Sequence, residues 1–565
     1  MALNPSTLTF LASLTTWWIY HSFEPADLLS TSLLLFGVPT MLIAFLRAQF
    51  TSLVTAVLTT FVSYYFILLA LVIGYRLSPF HPLAQYPGPL PGKISKLWDV
   101  WMTAKGSHHQ YVRALHDKYG DIVRIGPNEL SIRHEDAIAP ILTRDLRKGP
   151  YYDSRQADGK RALDGIRDFV EHAARRKPWT KATSISAIKG YSEYLTKTVD
   201  ELVQALDVKQ EVDISDWMTF VAFDFMGEMI FSTEFGMIKA GKDTTGIWHA
   251  LEEGTFAAGI LSHIPWIFDF LKHLPQGGSA FAVLQIIGAR IAKQRIEAGS
   301  SKRDLFHYLV SEDESTGIKL THEAAISDGM MSIVAGSDTS ATNLTHLFYF
   351  LLKNPEMKKR LQEEIDHIFP QGEETADYTK QSEMPYLNAC INESLRLYPA
   401  VLFGLQRRVE KGTGGRMIGP FFVPEGTQVS ADLFSLHRDP RYFSPIPDTF
   451  WPDRWLTQSS YTLPSGDTIP STQLIHNKAV FNPFSAGRQN CAGKSIAWIE
   501  MRAIMCAVLQ RFDIDAVDGF ELESYEKSLV EVYVTHRGAL PLRLKTRSLT
   551  FYYERCYSLA LVTPH

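Results

Sequence analysis

The chain has 565 residues, of which 45% are apolar and 21% charged, and its formal net charge is −5. That balance is globular, with no disordered or collagen-like excess, and the lack of a basic surplus argues against nucleic acid as a partner. The four cysteines (Cys390, Cys491, Cys506 and Cys556) are widely spaced with no C-x-x-C pair. Neither a disulfide framework nor a zinc site is therefore suggested, and the folded part is expected to face a reducing compartment.

Residues 1–76 differ from the rest of the chain. The run 52–75 is almost uncharged and long enough to cross a bilayer as a helix. The run 30–46 is of near-spanning length, and 8–20 is shorter, with Trp17, Trp18 and Tyr20 at one end as at a membrane interface. A cleavable leader is disfavoured, because no basic segment opens the chain and the apolar runs follow one another. Residues 1–76 are thus expected to be a membrane anchor of two or three spans in contact with lipid. Arg47 and Arg76 are too few to set its orientation from charge. In residues 77–92, Pro79, Pro82, Pro87, Pro89 and Pro91 fix φ and oppose both helix and central strand, which predicts a stiff hinge before a body formed by 93–565.

The body reads as mainly α with small β-sheets. Residues 121–132 alternate apolar and polar side chains around Gly126-Pro127-Asn128, the pattern of a hairpin. Helical periodicity then dominates to about residue 399. Its longest run goes from Thr321, an N-cap, to Asn354 before Pro355 and predicts about 50 Å of helix crossing the domain. Within it, residues 335–340 hold Gly336, Asp338, Thr339 and Ser340. Glycine and short polar side chains weaken a helix interior, so a local loosening is expected there. Glu393 and Arg396 share a helix face at i, i+3 spacing. Cys491 stands just before a helix-periodic stretch 494–512, where helix-end amides favour thiolate over thiol. Gly487 and Gly493 would let the backbone approach a flat cofactor. Strands are expected again at 530–535 and 540–544.

Residues 484–493 resemble the haem-binding loop of the cytochromes P450, F-x-x-G-x-R-x-C-x-G, and match it at Phe484, Gly487, Cys491 and Gly493. The loop departs from the pattern at the arginine position, which holds Gln489, with Arg488 one residue earlier. The resemblance implies a cytochrome P450 fold behind N-terminal transmembrane helices, with Cys491 as the axial ligand of haem b. Residues 172–176 resemble the family's W-x-x-x-R with His172 in place of tryptophan. Arg176, Arg407 and Arg488 would, on the same resemblance, contact the haem with His172. Arg454, in a segment similar to the family's, would join Glu393 and Arg396 in a structural ion cluster. Asp338 and Thr339 match the acid–alcohol pair that delivers protons beside the iron.

The implied activity is a monooxygenase, because a thiolate-ligated haem favours O–O cleavage. Electrons would come from an NADPH-dependent cytochrome P450 reductase, met by a basic cluster of Arg175, Arg176, Lys177 and Lys181. The substrate would be a lipophilic small molecule, a terpenoid, polyketide or lipid of secondary metabolism. Its pocket would be lined, by resemblance, from 163–168, 256–268, 333–334, 401–405 and 529–534. The protein would sit in the endoplasmic-reticulum membrane with its catalytic domain in the cytosol. Two rival readings keep the haem: an isomerase or dehydratase acting without dioxygen, against which Asp338-Thr339 argues, and a non-catalytic haem protein.

Overall fold

In a computed structural model of the chain, residues 4–143, 146–154, 156–157, 160–267, 279–299, 303–311, 320–403 and 406–547 are described, and helices dominate, with small sheets at their flanks. The N-terminal segment opens with the helix Pro5–Phe23, which ends at Glu24 in a left-handed turn. Two further helical segments, Leu28–Gln49 and Leu53–Leu77, are long and apolar enough to cross a membrane. Their polarity is arranged inside out. Val62, Phe66 and Leu69 are exposed, whereas Thr9, Ser13, Thr16, Thr60 and Tyr64 are buried. Ser13 Oγ donates to the Tyr64 carbonyl at 3.2 Å, and the Tyr64 hydroxyl lies 2.7 Å from Thr16 Oγ1. Such contacts suit helices in hydrocarbon, where polar groups must find partners within the protein.

The turn after the first helix rests on the body. Arg408 Nη2 donates to Glu24 at 2.8 Å, and Lys411 lies 3.2 Å from the same carboxylate. The stretch of prolines is not free of helix as expected, since Leu90–Ile94 is a short helix. Its prolines fall at the cap and the first turn, where the missing N–H would have no partner in the helix.

Thr321 caps the central helix His322–Lys353, its hydroxyl accepting from the Ala324 N–H at 3.2 Å. This helix packs along Ile214–Phe231, of which every residue but Asp216 is buried. The expected loosening at 335–340 is absent, because the α-helix is continuous through it. Gly336 serves close packing instead: a methyl there would come within 2.1 Å of Met226 Cε.

Residues 122–132 form the expected hairpin, Ile122–Gly126 against Glu129–Ile132. It belongs to a five-stranded sheet that continues through Gln428–Ala431 and Arg407–Arg408 to Arg147–Lys148. The last two strands pair antiparallel, with Lys148 opposite Arg407 and Arg147 opposite Arg408. At the other end of the chain the helix Lys494–Arg511 leads into Phe512–Ala516, which pairs with Pro541–Thr546. The strand expected at 530–535 is not formed. Only a single bridge, Val530 to His536, is made there. Its backbone is satisfied elsewhere, Glu531 N donating to Gly106 at 3.0 Å and Thr535 N to Ala400 at 2.8 Å, so the segment folds over the body as a loop.

Candidate active site

The loop before Lys494 is closed by a hydrogen bond from the Cys491 N–H to the Phe484 carbonyl at 2.9 Å. Gly487 has φ +73°, and a methyl there would lie 2.6 Å from Thr143 Cα, so both conformation and space require glycine. The Cys491 side chain opens into a cavity under the central helix, with Phe484 and Gly493 beside it. Burial pushes its thiol above the usual value, while the Gly493 amide, the Arg176 charge and the Lys494 amide favour the thiolate. A soft metal at the sulfur would complete that shift.

One wall of this cavity is cationic. Asp168 caps the helix Phe169–Ala182, accepting from the N–H groups of Val170 and Glu171 at 2.9 and 3.0 Å. From that helix come His172 and Arg176. From the sheet edge come Lys148 and Arg407, which stand directly opposite one another. Like charges across a strand pair repel, and an acidic ligand edge would offset the cost. Arg176 also braces the cysteine loop, donating to the Asn490 carbonyl at 2.8 Å and to its side-chain oxygen at 3.1 Å. Burial first, and then the charges of Lys148, Arg176 and Arg407, hold His172 down to about 4, so it is neutral near pH 7.

The structure corrects two expectations here. Arg488 is exposed and does not line the cavity, because the loop turns its side chain outward. Gln489 points inward in its place, with a buried Nε2 that donates to no acceptor among the described residues. The basic cluster is also divided: Lys177 and Lys181 are exposed, but Arg175 is drawn inward onto the central helix.

Thr339 faces the cavity, and its hydroxyl donates to the Ala335 carbonyl at 2.5 Å. Its neighbour Asp338 does not line the cavity. Asp338 is buried beside Arg537, whose Nη1 lies 3.2 Å from the carboxylate and 2.6 Å from Thr342 Oγ1. Burial pushes the Asp338 carboxyl up to about 6, against the charge of Arg537. The two residues are adjacent in sequence but face different surroundings.

Glu393, Arg396 and Arg454 come together without solvent. Arg396 donates twice to the Glu393 carboxylate at 2.8 Å, and Arg454 Nε donates to it at 3.0 Å. The Trp451 N–H and the Trp455 indole add bonds at 3.0 and 2.9 Å. Arg396 also reaches the carbonyls of His437 and Pro447, at 2.5 and 2.6 Å, and so ties the helix Pro385–Leu397 to the segment leading toward Cys491.

Of the expected pocket segments, Leu163, Asp164, Val401, Leu402, Phe403, Tyr533 and Val534 do line the cavity. Residues 404–405 and 268 lie outside the described residues. Ile333 and Val334 face away, since the helix presents Met331, Ser332, Ala335, Gly336 and Thr339 at i, i+3/i+4 spacing. None of 256–267 reaches the cavity. Sequence reasoning missed Met226, Met229 and Lys148, together with Glu500, a buried acid on the helix that follows Cys491. Burial pushes Glu500 up to about 8. Its signal was legible as an acid inside an apolar helical run.

These parts fit haem. A cysteine sulfur aimed into an apolar slot is a ligand for soft or borderline iron, and His172, Arg176, Arg407, Lys148 and Gln489 offer donors for a ligand with an acidic edge. Comparison with known proteins agrees. The family model described as Cytochrome P450 matches residues 87–537. Cytochrome P450 monooxygenase nodW of Hypoxylon pulicicidum is 33% identical over 486 residues, covering 84% of this chain and 85% of its own length. Cytochrome P450 monooxygenase FCK2 of Fusarium pseudograminearum (strain CS3096) is 33% identical over 455 residues, 79% of each chain. Cytochrome P450 67 of Uromyces fabae is 30% identical over 513 residues, 88% of this chain and 91% of its own. The fold and site define a haem-thiolate monooxygenase. This chain belongs to the cytochrome P450 family, with haem b as cofactor and a cysteine thiolate as its ligand.

Proposed function

We propose that the protein oxidises a lipophilic small molecule, a terpenoid, polyketide or lipid of secondary metabolism, using electrons passed from NADPH by a membrane-bound flavoprotein reductase. Residues 1–76 would anchor it in the endoplasmic-reticulum membrane, and 77–92 would join that anchor to a cytosolic catalytic domain, 93–565. One observation carries the substrate class: above Cys491 the cavity is walled by Met226, Met229, Met331, Leu305, Leu402 and Val534, a mostly apolar surface whose thioethers can adapt to irregular shapes.

When bound, the thiolate-ligated haem supplies dioxygen activation. The chain's own residues then have separable tasks. Cys491 is the ligand, poised by the Gly493 and Lys494 amides. His172, Arg176, Arg407 and Gln489, with Phe484 and Gly493 lining the slot, orient the cofactor through its acidic edge and flat face. Thr339 presents a hydroxyl that can hold and pass a proton into the cavity. Glu393, Arg396 and Arg454 fix the frame beneath. Arg488 has no part in this reading.

Two measurements test it. Cys491→Ser should abolish the red-shifted carbon-monoxide band of the reduced protein, because a hydroxyl is a far weaker donor than a thiolate. A mutant that kept the band would place the ligand elsewhere. Wild-type protein with reductase, NADPH and a panel of lipophilic substrates should give oxygenated products. Turnover that proceeds without NADPH would favour the isomerase reading instead.

A further inference from the structure

One wall of the cavity is made by two stretches of chain, 400–403 and 533–534, linked where the Thr535 N–H donates to the Ala400 carbonyl at 2.8 Å. Neither stretch belongs to a helix or strand, so its place depends on what holds it from behind. Behind it lies a group of buried ionisable side chains, none of which lines the cavity: Asp99, His108, His109 and Glu531. Glu531, two residues before Tyr533, accepts from the His109 N–H and lies 3.0 Å from His109 Nδ1. It also lies 3.7 Å from His108 Nδ1, and His108 Nε2 is 3.8 Å from Asp99, which pairs with Lys96 at 2.5 Å. The His108 ring meets the Phe403 ring edge to face, with centroids 4.5 Å apart. One imidazole therefore backs both stretches, Phe403 by direct contact and 533–534 through Glu531. Against burial in both cases, Asp99 and Glu531 push His108 up to about 10, and His108 and His109 hold Glu531 down to about 2. The pair is ionic near pH 7.

We propose that the His108–Glu531 ion pair is the positioning device for this wall, fixing the shape of the cavity and so which lipophilic molecules enter it and which of their carbons face the reacting centre. This rests on the reading that a lipophilic substrate is oxidised in the cavity. A buried ion pair adds little stability over apolar packing of the same volume, because desolvation offsets the attraction, but its charges are satisfied in few arrangements. With the Glu531 carboxylate neutralised, the imidazolium keeps only Asp99 as a counter-charge and is drawn toward it, which shifts the ring behind Phe403. The chain at 531 loses its charged tie to the helix His108–Tyr119 at the same time. Both effects alter the wall without touching the cysteine loop.

Haem-loaded full-length protein tests this with two probes that ligate the iron, imidazole and its N-biphenylyl derivative, each titrated by the shift of the haem absorption band. Imidazole reads access to the iron, and the biphenylyl group extends into the cavity and reads its wall. Glu531→Gln should keep the carbon-monoxide spectrum and the imidazole Kd, and change the ratio of the two Kd values by on the order of 10-fold, the scale on which a pocket responds to small changes of shape. His108→Gln should move the ratio in the same direction, and the double variant no further than the larger single one, as for two partners of one interaction. An unchanged ratio in a haem-loaded variant overturns the proposal even if its melting temperature falls, because that is the result of a merely structural role. Effects that add in the double variant overturn it too. Should Glu531→Gln fail to load haem, Glu531→Asp, which keeps the charge but draws it back by one methylene, decides by the same ratio. Products of the wild type bear on the substrate reading and the ratio bears on the wall, so either falls without the other.

Discussion

Arg175 grips Asp328 with two hydrogen bonds, Nε to Oδ2 at 2.8 Å and Nη2 to Oδ1 at 3.0 Å, joining the helix Phe169–Ala182 to the central helix. The same carboxylate accepts from the Trp179 indole at 3.2 Å and from the Leu163 N–H at 2.9 Å. Asp328 is fully buried, so removing the guanidinium leaves an uncompensated charge. Arg175→Ala is expected to cost about 3 kcal/mol of stability, read as a fall in apparent melting temperature, and to leave the KM for reductase unchanged. Lys177→Ala with Lys181→Ala should do the reverse, raising that KM most at low ionic strength. A raised KM in the Arg175 variant at wild-type stability would return Arg175 to the docking surface.

Glu393 shows how a buried ion cluster sets a pH limit. Burial would raise its carboxyl, yet Arg396 and Arg454 hold it down to about 2. Because the folded-state value lies below the ordinary one, the stabilisation is fully present above about pH 4.5 and is lost as pH falls toward 2. Glu393→Gln should therefore destabilise the protein by about 3–5 kcal/mol near neutral pH, with the gap to wild type closing in strong acid. A gap that stayed constant down to acid pH would show that the loss comes from packing rather than charge.

What could be read in the sequence was set by local rules. The cap at Thr321, the break at Pro355 and the helix after Cys491 follow from capping and periodicity, which act within a turn or two. The fate of Arg488 and Gln489 was not legible, because the left-handed turn at Gly487 decides which of two adjacent side chains faces inward. Asp338 and Thr339 are likewise neighbours in sequence, but successive helix residues are about 100° apart around the axis and meet different partners. Lys148 was missed because its position depends on pairing with Arg407, more than 250 residues away. The segment 530–535 has the alternation of a strand, but its hydrogen bonds are taken by Gly106 and Ala400.

The N-terminal helices yield a prediction of topology. Glu24, at the end of the first helix, touches Arg408 and Lys411 of the body, and Leu77, at the end of the third segment, leads directly into it. The first helix has 19 residues, about 28 Å in length, enough to carry its other end to the far side of the hydrocarbon layer. A tag placed before Pro5 should then be protected from protease added outside intact microsomes, while the chain after Pro79 is digested. Digestion of both would leave only Leu28–Gln49 and Leu53–Leu77 as spans.

Glu500 should also write its state into stability. Burial pushes its carboxyl up to about 8, well above the ordinary value near 4.5, so the folded protein binds this proton more tightly than the unfolded chain. Below about pH 4.5 both states are protonated and the group is neutral in effect. Between about 4.5 and 8 the unfolded chain ionises first, and stability is lost at about 1.4 kcal/mol per pH unit, a few kcal/mol in all. Glutamine has nearly the same shape and cannot ionise. Glu500→Gln is therefore expected to match wild type near pH 5 and to exceed its apparent melting temperature by a margin that grows through pH 7 and levels off above about 8. Any structural cost of the substitution would lower the whole curve without changing its slope, so the slope is the diagnostic. A difference between the two proteins that does not vary with pH would mean that burial does not hold the Glu500 carboxyl above its ordinary value in the folded state.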